Sequence, residues 1–330
     1  PDVRDDRGCL RPSVGGMEDR TPVNTAIDHA RHTPYANPGR HADLVAALPA
    51  DPESLSAVAR NVIVHYRASG EQLPDSSRHD IDARWLESIL DLDQSRHPRP
   101  LDHPRAVTER VQGCCRDHTL FCVGALRSRG IPARSRVGYV GYFVDGWHHD
   151  HVIVEAWLDG RWRRFDPEVA DPRPTLPSPM DIPRGELGGT GFVTAAEVWI
   201  GFRRGELDPS TYGVGPEVPG FRGERFVFDE VIHEVAHRFG DELLLWDGWG
   251  RIGEPDEPVS DEDARWLDEI AQLLVAADDI GTGAEVAEVA EVAEVALLDR
   301  YRRDPGLHPG AAVMQASPYG DPPVVVQLRR

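Results

Sequence analysis

Apolar residues recur at helical spacing in the first third of the chain. Asp51-Pro52 has the form of an N-cap followed by proline at the first helical position. The apolar face that follows is Leu55, Val58, Ala59, Val62, Ile63 and Tyr66. A second amphipathic helix is predicted to carry Ile81, Trp85, Leu86, Ile89 and Leu90, and it ends at the Pro-rich run HPRPLDHPR. Residues 18–45 are rich in His, Pro, Asn and Arg and predict an irregular lead-in.

The middle of the chain changes from one buried helix to a series of strands. Residues 115–129 form a largely apolar helical stretch that Gly130 and Ile131-Pro132 end. Residues 134–143, 151–158 and 161–166 are rich in β-branched and aromatic residues and predict strands. Asp145-Gly146 and Asp159-Gly160 are turn signals between them. The pattern predicts an α+β fold in which a buried helix packs on an antiparallel sheet.

The last part of the chain is predicted to be helical. Helices are expected near residues 194–204 and 228–239, and a linker leads to another at 261–277. Residues 284–296 repeat Ala-Glu-Val, a period of three that gives no steady apolar face, so we expect a solvated helix without chemistry. We therefore divide the chain into a lead-in (1–37), a catalytic domain (38–255) and a helical extension (256–330).

Composition and charge exclude several function classes. The net charge is −20, which opposes binding to nucleic acid and to anionic membranes. The chain contains no lysine, and this excludes a P-loop and a Schiff-base pyridoxal enzyme, because both require a lysine side chain. No stretch reaches the roughly 20 apolar residues of a membrane-spanning helix. Because the four cysteines form no disulfide pattern, we expect a reduced, cytoplasmic setting. Met17 is the first methionine, so residues 1–16 are expected to be an upstream extension.

Three residues have the spacing of a nucleophile, a base and an orienting acid. Cys115 begins the buried helix directly after Gly113, and a helix N-terminus with a nearby imidazolium can lower the pKa of a thiol. His151 opens one strand and Asp166 ends the next, at about equal distances from Asp159-Gly160. They should therefore be cross-strand neighbours. Alone, each has an ordinary interpretation, as a core cysteine, a loop histidine and a turn aspartate.

The segments GCCRDHTLFCVGALRSRGIPAR and HVIVEAWLDGRWRRFDPE resemble the transglutaminase-like branch of the papain-type cysteine enzymes. A broader similarity to bacterial transglutaminase-domain proteins of unassigned function runs from Pro38 to Gly250. The resemblance implies that Cys115 is the nucleophile, His151 the base and Asp166 the orienting acid. It also implies that Glu155 is a structural or supporting residue.

The segments depart from the family pattern at two positions, and one catalytic group is not identified. Cys114 stands where the family often has Asn or another polar residue, although the G-x-C spacing selects Cys115. Ile153 replaces an aromatic residue. Beyond the backbone N–H of Cys115, the sequence identifies no second oxyanion donor, and Gln112 is a weak candidate.

A second motif offers a different function. His233-Glu234-Val235-Ala236-His237 matches HExxH, the helical zinc motif of metallopeptidases. Leu243 stands where the longer metzincin pattern needs a third histidine. The helix is also amphipathic in the ordinary way, with these polar residues expected on the solvent side.

The sequence thus predicts a papain- or transglutaminase-like α+β enzyme. The predicted reaction is transfer or hydrolysis at an amide or thioester carbonyl through an acyl-Cys115 intermediate, on a peptide, amide or thioester substrate. The alternatives are a zinc metallopeptidase using His233, Glu234 and His237, or a catalytically silent binding module. We predict no cofactor, no metal, and neither nucleic-acid nor membrane partners, while the substrate and the oligomeric state stay open.

Overall fold

A computed structural model describes residues 27–278 and 284–329, with side chains from residue 287 onward in the second range. The expectation for residues 1–16 lies outside these ranges, as does Cys9. Eight α-helices are formed in the described ranges: α1 Ala42–Ala46, α2 Pro52–Val62, α3 Leu86–Arg96, α4 Cys115–Arg127, α5 Ala195–Arg203, α6 Gly223–Arg238, α7 Asp261–Ala277 and α8 Ala284–Arg303.

Ten short or medium strands form three sheets in the same ranges. The strands are β1 Ile63–His65, β2 Val111–Gly113, β3 Ala133–Val140, β4 His148–Leu158, β5 Arg161–Phe165, β6 Phe192–Thr194, β7 Tyr212–Gly213, β8 Asp247–Gly248, β9 Ala312–Gln315 and β10 Val324–Gln327. The central sheet has the antiparallel order β5-β4-β3-β6, and β7 joins β4 in parallel. β1 pairs with β2, and β8, β9 and β10 form a three-stranded sheet.

The local signals of the sequence produce the predicted elements around the sheet. Asp51 caps α2, because its carboxylate accepts the backbone N–H of Ser54 at 2.8 Å. Asp159 and Gly160 both have positive φ, at 53° and 75°, which is the conformation of a two-residue hairpin turn between β4 and β5. The predicted α+β architecture is confirmed, since α4 packs on β3 and β4.

One large hydrophobic core runs from Tyr35 to Val313 and includes residues of α4, α6 and α7. The helices after residue 260 therefore pack on the same core as the central sheet, and the domain boundary at residue 255 stays a prediction. The extension is also not purely helical, because β9 and β10 follow α8. No helix within the described ranges has the length and hydropathy to cross a membrane.

Buried ion pairs attach the C-terminal helices to the sheet. Arg136 on β3 donates to Asp278, which ends α7, at 3.0 Å through Nη1. Arg238 on α6 donates to Asp278 at 2.7 Å and to Glu294 of α8 at 2.8 Å. The Ala-Glu-Val helix is thus not fully solvated: its Val289, Val292 and Val295 are 55–63% exposed, but Glu294 is buried. Removing one member of such a pair leaves a buried charge without its partner.

Candidate active site

Cys115 lies at the first position of α4, on a tightly built entry turn. Cys114 is the N-cap residue, and its backbone N–H is accepted by Asp117 Oδ2 at 2.8 Å. A Cβ at Gly113 would come within 2.8 Å of that oxygen and 2.9 Å of Ile63, so only glycine fits before the two cysteines. The turn therefore fixes the position of the Cys115 side chain at the helix N-terminus.

The β4–β5 hairpin brings His151 and Asp166 together, although in a shifted register. Val154 pairs with Phe165, so Asp166 lies just beyond the ladder and diagonal to His151 rather than directly opposite. The expectation of direct opposition is therefore off by two residues, because this register puts residue 168 opposite His151. Diagonal neighbours are still within side-chain reach. His151 Nε2 and Asp166 Oδ2 are 2.9 Å apart.

The Cys115 sulfur completes this group. Ligand atoms of Cys115, His151 and Glu168 all lie within 4.8 Å of one another. Because the carboxylate of Asp166 accepts a hydrogen bond from Nε2 of His151, the proton of the neutral ring is held there and Nδ1 carries the lone pair. The structure thus places all three sequence-predicted residues together, with the imidazole in the tautomer that can accept a proton.

Asp166 is fully buried and has three donors. Tyr142 Oη donates to Oδ2 at 2.5 Å, and the backbone N–H of Glu168 donates to Oδ1 at 2.9 Å. Burial disfavours the carboxylate, but the charge and hydrogen bond of His151 and the other donors outweigh it and lower the pKa of Asp166. Burial likewise disfavours the imidazolium, yet Asp166 outweighs burial and raises the pKa of His151 above 6.5. Each group stabilises the charged form of the other.

The pKa of the Cys115 thiol differs from the expectation that the helix N-terminus and His151 would lower it. The Cys115 sulfhydryl is hydrogen-bonded to Cys114, and this contact together with burial raises the pKa of Cys115 well above 9.0. The nearby carboxylates of Glu168 and Asp150 act in the same direction. Because these effects all oppose the thiolate, we expect His151 to remove the proton of the thiol before the sulfur can attack.

Two neighbours of the group were missed from the sequence. Tyr142 follows the end of β3 and reaches Asp166 only because β3 and β4 pair. Glu168 lies two residues after Asp166, with Oε2 3.9 Å from His151 Nδ1 and Oε1 3.4 Å from His118 Nδ1. The Asp-Pro-Glu order was visible in the sequence, but a strand pattern that ends at Pro167 gives no direction for the Glu168 side chain.

Two other residues that the sequence singled out, Glu155 and Gln112, have their polar groups engaged elsewhere. Glu155 accepts from Arg134 at 2.7 Å, Arg136 at 3.1 Å and Arg164 at 2.8 Å, so its place is in a buried ion network. Gln112 is a poor oxyanion donor, because its Nε2 already donates to Pro74 O and Ser77 Oγ.

Trp246 is a better candidate for the second donor. It packs against the small cluster that contains Cys114 and Cys115, together with Tyr66 and Leu245. Its indole Nε1 is buried and has no hydrogen-bond partner among the described residues. A buried donor without an acceptor is costly unless another molecule supplies one.

The HExxH residues are buried rather than on a solvent face, so that expectation was wrong. His237 receives a hydrogen bond from Ser135 Oγ at Nδ1 (2.9 Å) and donates from Nε2 to Leu243 O (3.1 Å). Glu234 accepts from the backbone N–H of Ala196 at 2.8 Å and from Arg136 at 3.3 Å. Both nitrogens of His237 are thus engaged, whereas His233 Nε2 is buried without a partner among the described residues, so only one of the two histidines has a lone pair free for a zinc ion.

One comparison, with models of known protein families, agrees with the geometry of the core. Residues 64–167 match the model of the transglutaminase-like superfamily. This range contains Cys115, His151 and Asp166, and it confirms the resemblance found in the sequence. The core thus has a transglutaminase-like fold of a kind that supports thiol-dependent catalysis.

A crystal structure of a candidate cysteine protease from Cytophaga hutchinsonii is similar at 16% identity, with a TM-score of 0.30. The similarity covers 50% of this chain and 45% of that one, so the chain spans less than half of that protein's length. No curated protein matches the chain.

Proposed function

We propose that this protein is a thiol-dependent acyltransferase or hydrolase that acts at an amide or thioester carbonyl. The observation that carries the proposal is the arrangement of Cys115, His151 and Asp166. The sulfur lies within 4.8 Å of His151, whose Nε2 is 2.9 Å from Asp166. The transglutaminase-like match over residues 64–167 supports the same assignment.

The roles follow from the protonation states. His151 Nδ1 takes the proton of the neutral Cys115 thiol as the sulfur attacks the carbonyl carbon. Asp166 holds Nε2–H and stabilises the imidazolium that forms. The imidazolium then returns its proton to the leaving amine or thiol, which leaves an acyl-Cys115 intermediate. Water or an amine removes the acyl group, with His151 again as the base.

The developing oxyanion needs donors. The backbone N–H of Cys115, at the helix N-terminus, supplies one. We assign the second to Trp246 Nε1, since this N–H is buried without an acceptor among the described residues and the Trp246 side chain packs against the cluster that contains Cys114 and Cys115.

The proposal is tested by two probes that require different parts of the site. Iodoacetamide alkylation reports only on the thiol, whereas an activated ester reports on acyl transfer. We expect both to modify Cys115, as located by mass spectrometry, and Cys115→Ser to abolish both. Trp246→Phe should slow acylation by roughly 10- to 100-fold and leave alkylation unchanged.

Modification of Cys114 in place of Cys115 would overturn the assignment of the nucleophile. A folded protein in which neither thiol reacts would instead favour the silent binding module. Equal effects of Trp246→Phe on both probes would remove Trp246 from the oxyanion role.

A further inference from the structure

Glu168 has no role in the proposed acyl transfer, yet it lies beside both reacting groups. Its carboxylate is 3.9 Å from His151 Nδ1, and its side chain is only 14% exposed. A carboxylate next to a thiol opposes thiolate formation, which is unfavourable for a nucleophile. A function that uses Cys115, His151 and Glu168 together would explain its position.

The three side chains are ligand types that zinc prefers. Cysteine sulfur, a histidine nitrogen and a carboxylate oxygen are its common protein ligands, and catalytic-type sites use three of them with an open fourth position. Here one such atom from each residue lies within 4.8 Å of the other two. Ligands around a tetrahedral zinc ion lie about 3.5 Å apart, so side-chain movements of about 1 Å would complete the site.

Neighbouring residues also lie against two of the ligands. Asp166 accepts the hydrogen bond from His151 Nε2, which leaves Nδ1 with its lone pair toward Glu168 and orients the ring as in carboxylate–histidine–zinc sites. His118 Nδ1 lies 3.4 Å from Oε1 on the other side of the Glu168 carboxylate, although its nearer partner is the carbonyl oxygen of Cys114 at 2.9 Å. Cys114 is not a member of the group, although its sulfur contacts that of Cys115.

We propose that Cys115 Sγ, His151 Nδ1 and Glu168 form a binding site for a soft divalent cation such as Zn²⁺, and that the bound ion inhibits the thiol. Binding releases the Cys115 proton to solvent and forms a zinc–thiolate bond. The ion then occupies both the sulfur and the base that acyl transfer requires. The inhibition rests on the proposed function, whereas the binding does not.

Binding is measured first, without any activity. The chelator-treated full chain is titrated with ZnCl₂ in competition with a chromophoric zinc indicator. We expect one ion per chain, and Glu168→Gln should weaken binding by more than about tenfold, since even residues behind a ligand change affinity by 10- to 100-fold. Cys115→Ser should do the same. His233→Ala is the matched control and should bind as wild type.

Inhibition is measured second, as the rate of Cys115 alkylation by iodoacetamide with and without zinc. We expect zinc to protect Cys115, EDTA to restore the rate, and Glu168→Gln to lose most of the protection while its melting temperature shows that it is folded. No saturable binding, or wild-type affinity and protection in Glu168→Gln, would overturn the proposal. Rapid alkylation of Cys115 without zinc binding would contradict only the zinc site. Zinc binding by an unreactive Cys115 would contradict only the acyl-transfer function.

Discussion

The hairpin site and the HExxH face of α6 contain the same kinds of side chain, and only one of them is arranged for chemistry. Both have buried histidines next to carboxylates. His151 makes its hydrogen bond to Asp166 through Nε2 and keeps Nδ1 directed to Cys115 and Glu168. His237 has protein partners at both nitrogens. A free lone pair alone does not separate the two regions, since Nε2 of His233 on α6 is also buried without a hydrogen-bond partner among the described residues. The difference is that His151 lies in a group with a thiol and a second carboxylate, and the described residues of α6 form no such group.

The pKa shifts of the buried histidines and carboxylates also differ between the two regions. At the hairpin site, His151 and Asp166 each shift the pKa of the other toward the charged pair. On α6, burial lowers the pKa of His237 well below 6.5 and raises the pKa of Glu234 to about 7. The first arrangement stabilises an imidazolium that forms during a reaction, whereas the second keeps its histidine neutral and structural.

The largest effect should come from removing the base. His151→Ala should slow alkylation of Cys115 near neutral pH by more than about 100-fold, because the raised pKa of the thiol leaves little thiolate without a base. His149→Ala is the matched control: it is two residues away on β4, and burial lowers the pKa of His149 to about 4. A rate in His151→Ala close to that of wild type would remove the distinction between the two regions.

The second-largest effect on alkylation should come from removing the charge of the orienting acid, Asp166. Asp166→Asn preserves shape while it removes the carboxylate that raises the pKa of His151. We expect alkylation to fall by roughly 10- to 1,000-fold in a folded protein, less than the loss of about 10⁴ in serine triads. A folded Asp166→Asn that alkylates at the wild-type rate would make Asp166 a turn residue only. Glu168 would then be the next acid to test, since Glu155 is held by three arginines.

Tyr142→Phe should slow alkylation less than Asp166→Asn does, because it removes a hydrogen bond to Asp166 and keeps the charge of the carboxylate. The lost hydrogen bond from Tyr142 helps to lower the pKa of Asp166, so that pKa should rise. We expect alkylation to slow by about three- to tenfold, and the low-pH limb of its pH profile to move upward. An unchanged profile in the folded variant would show that Tyr142 only packs against the site.

Local sequence signals predicted the elements that carry the site but not its full membership. Asp51, Asp159 and Gly160 act within their own turns, and α2 and the hairpin follow from them. Tyr142 and Glu168 reach the site through β3–β4 pairing and through the chain after Asp166, whose backbone N–H donates to Pro179 O. Such contacts depend on tertiary packing, which no local pattern encodes.

The same limitation explains the error on α6. Its amphipathic pattern predicts a buried side and a solvent-facing side, but Arg136 and Ser135 of β3 supply partners for Glu234 and His237. A helix whose polar residues are satisfied by a neighbouring sheet can be buried on that side as well. The two adjacent thiols are a similar case, since the G-x-C spacing selects Cys115 but does not show that Cys114 contacts it.

Substitution of His237 should have the smallest effect on the reactivity of Cys115, but it should clearly lower the stability of the fold. His237→Ala leaves Ser135 Oγ and Leu243 O without their partner and opens a cavity, which should cost about 2–4 kcal/mol of unfolding free energy. Alkylation of Cys115 should keep the wild-type rate. His237→Gln can still donate to Leu243 O, so it should be less destabilised than His237→Ala.

The pH dependence of unfolding separates this structural role from a catalytic one. The folded-state pKa of His237 lies below 6.5, so as the pH falls below 6.5 the unfolded chain binds a proton that the folded chain does not. Stability is therefore lost toward low pH until the folded pKa is reached, at up to about 1.4 kcal/mol per pH unit for this residue. Urea unfolding between pH 7 and 5 should show a shallower loss in both His237 variants than in wild type. If the variants lose unfolding free energy with falling pH as steeply as wild type, and alkylation of Cys115 also slows, His237 would have a role in reactivity like that of His151 and not a structural one.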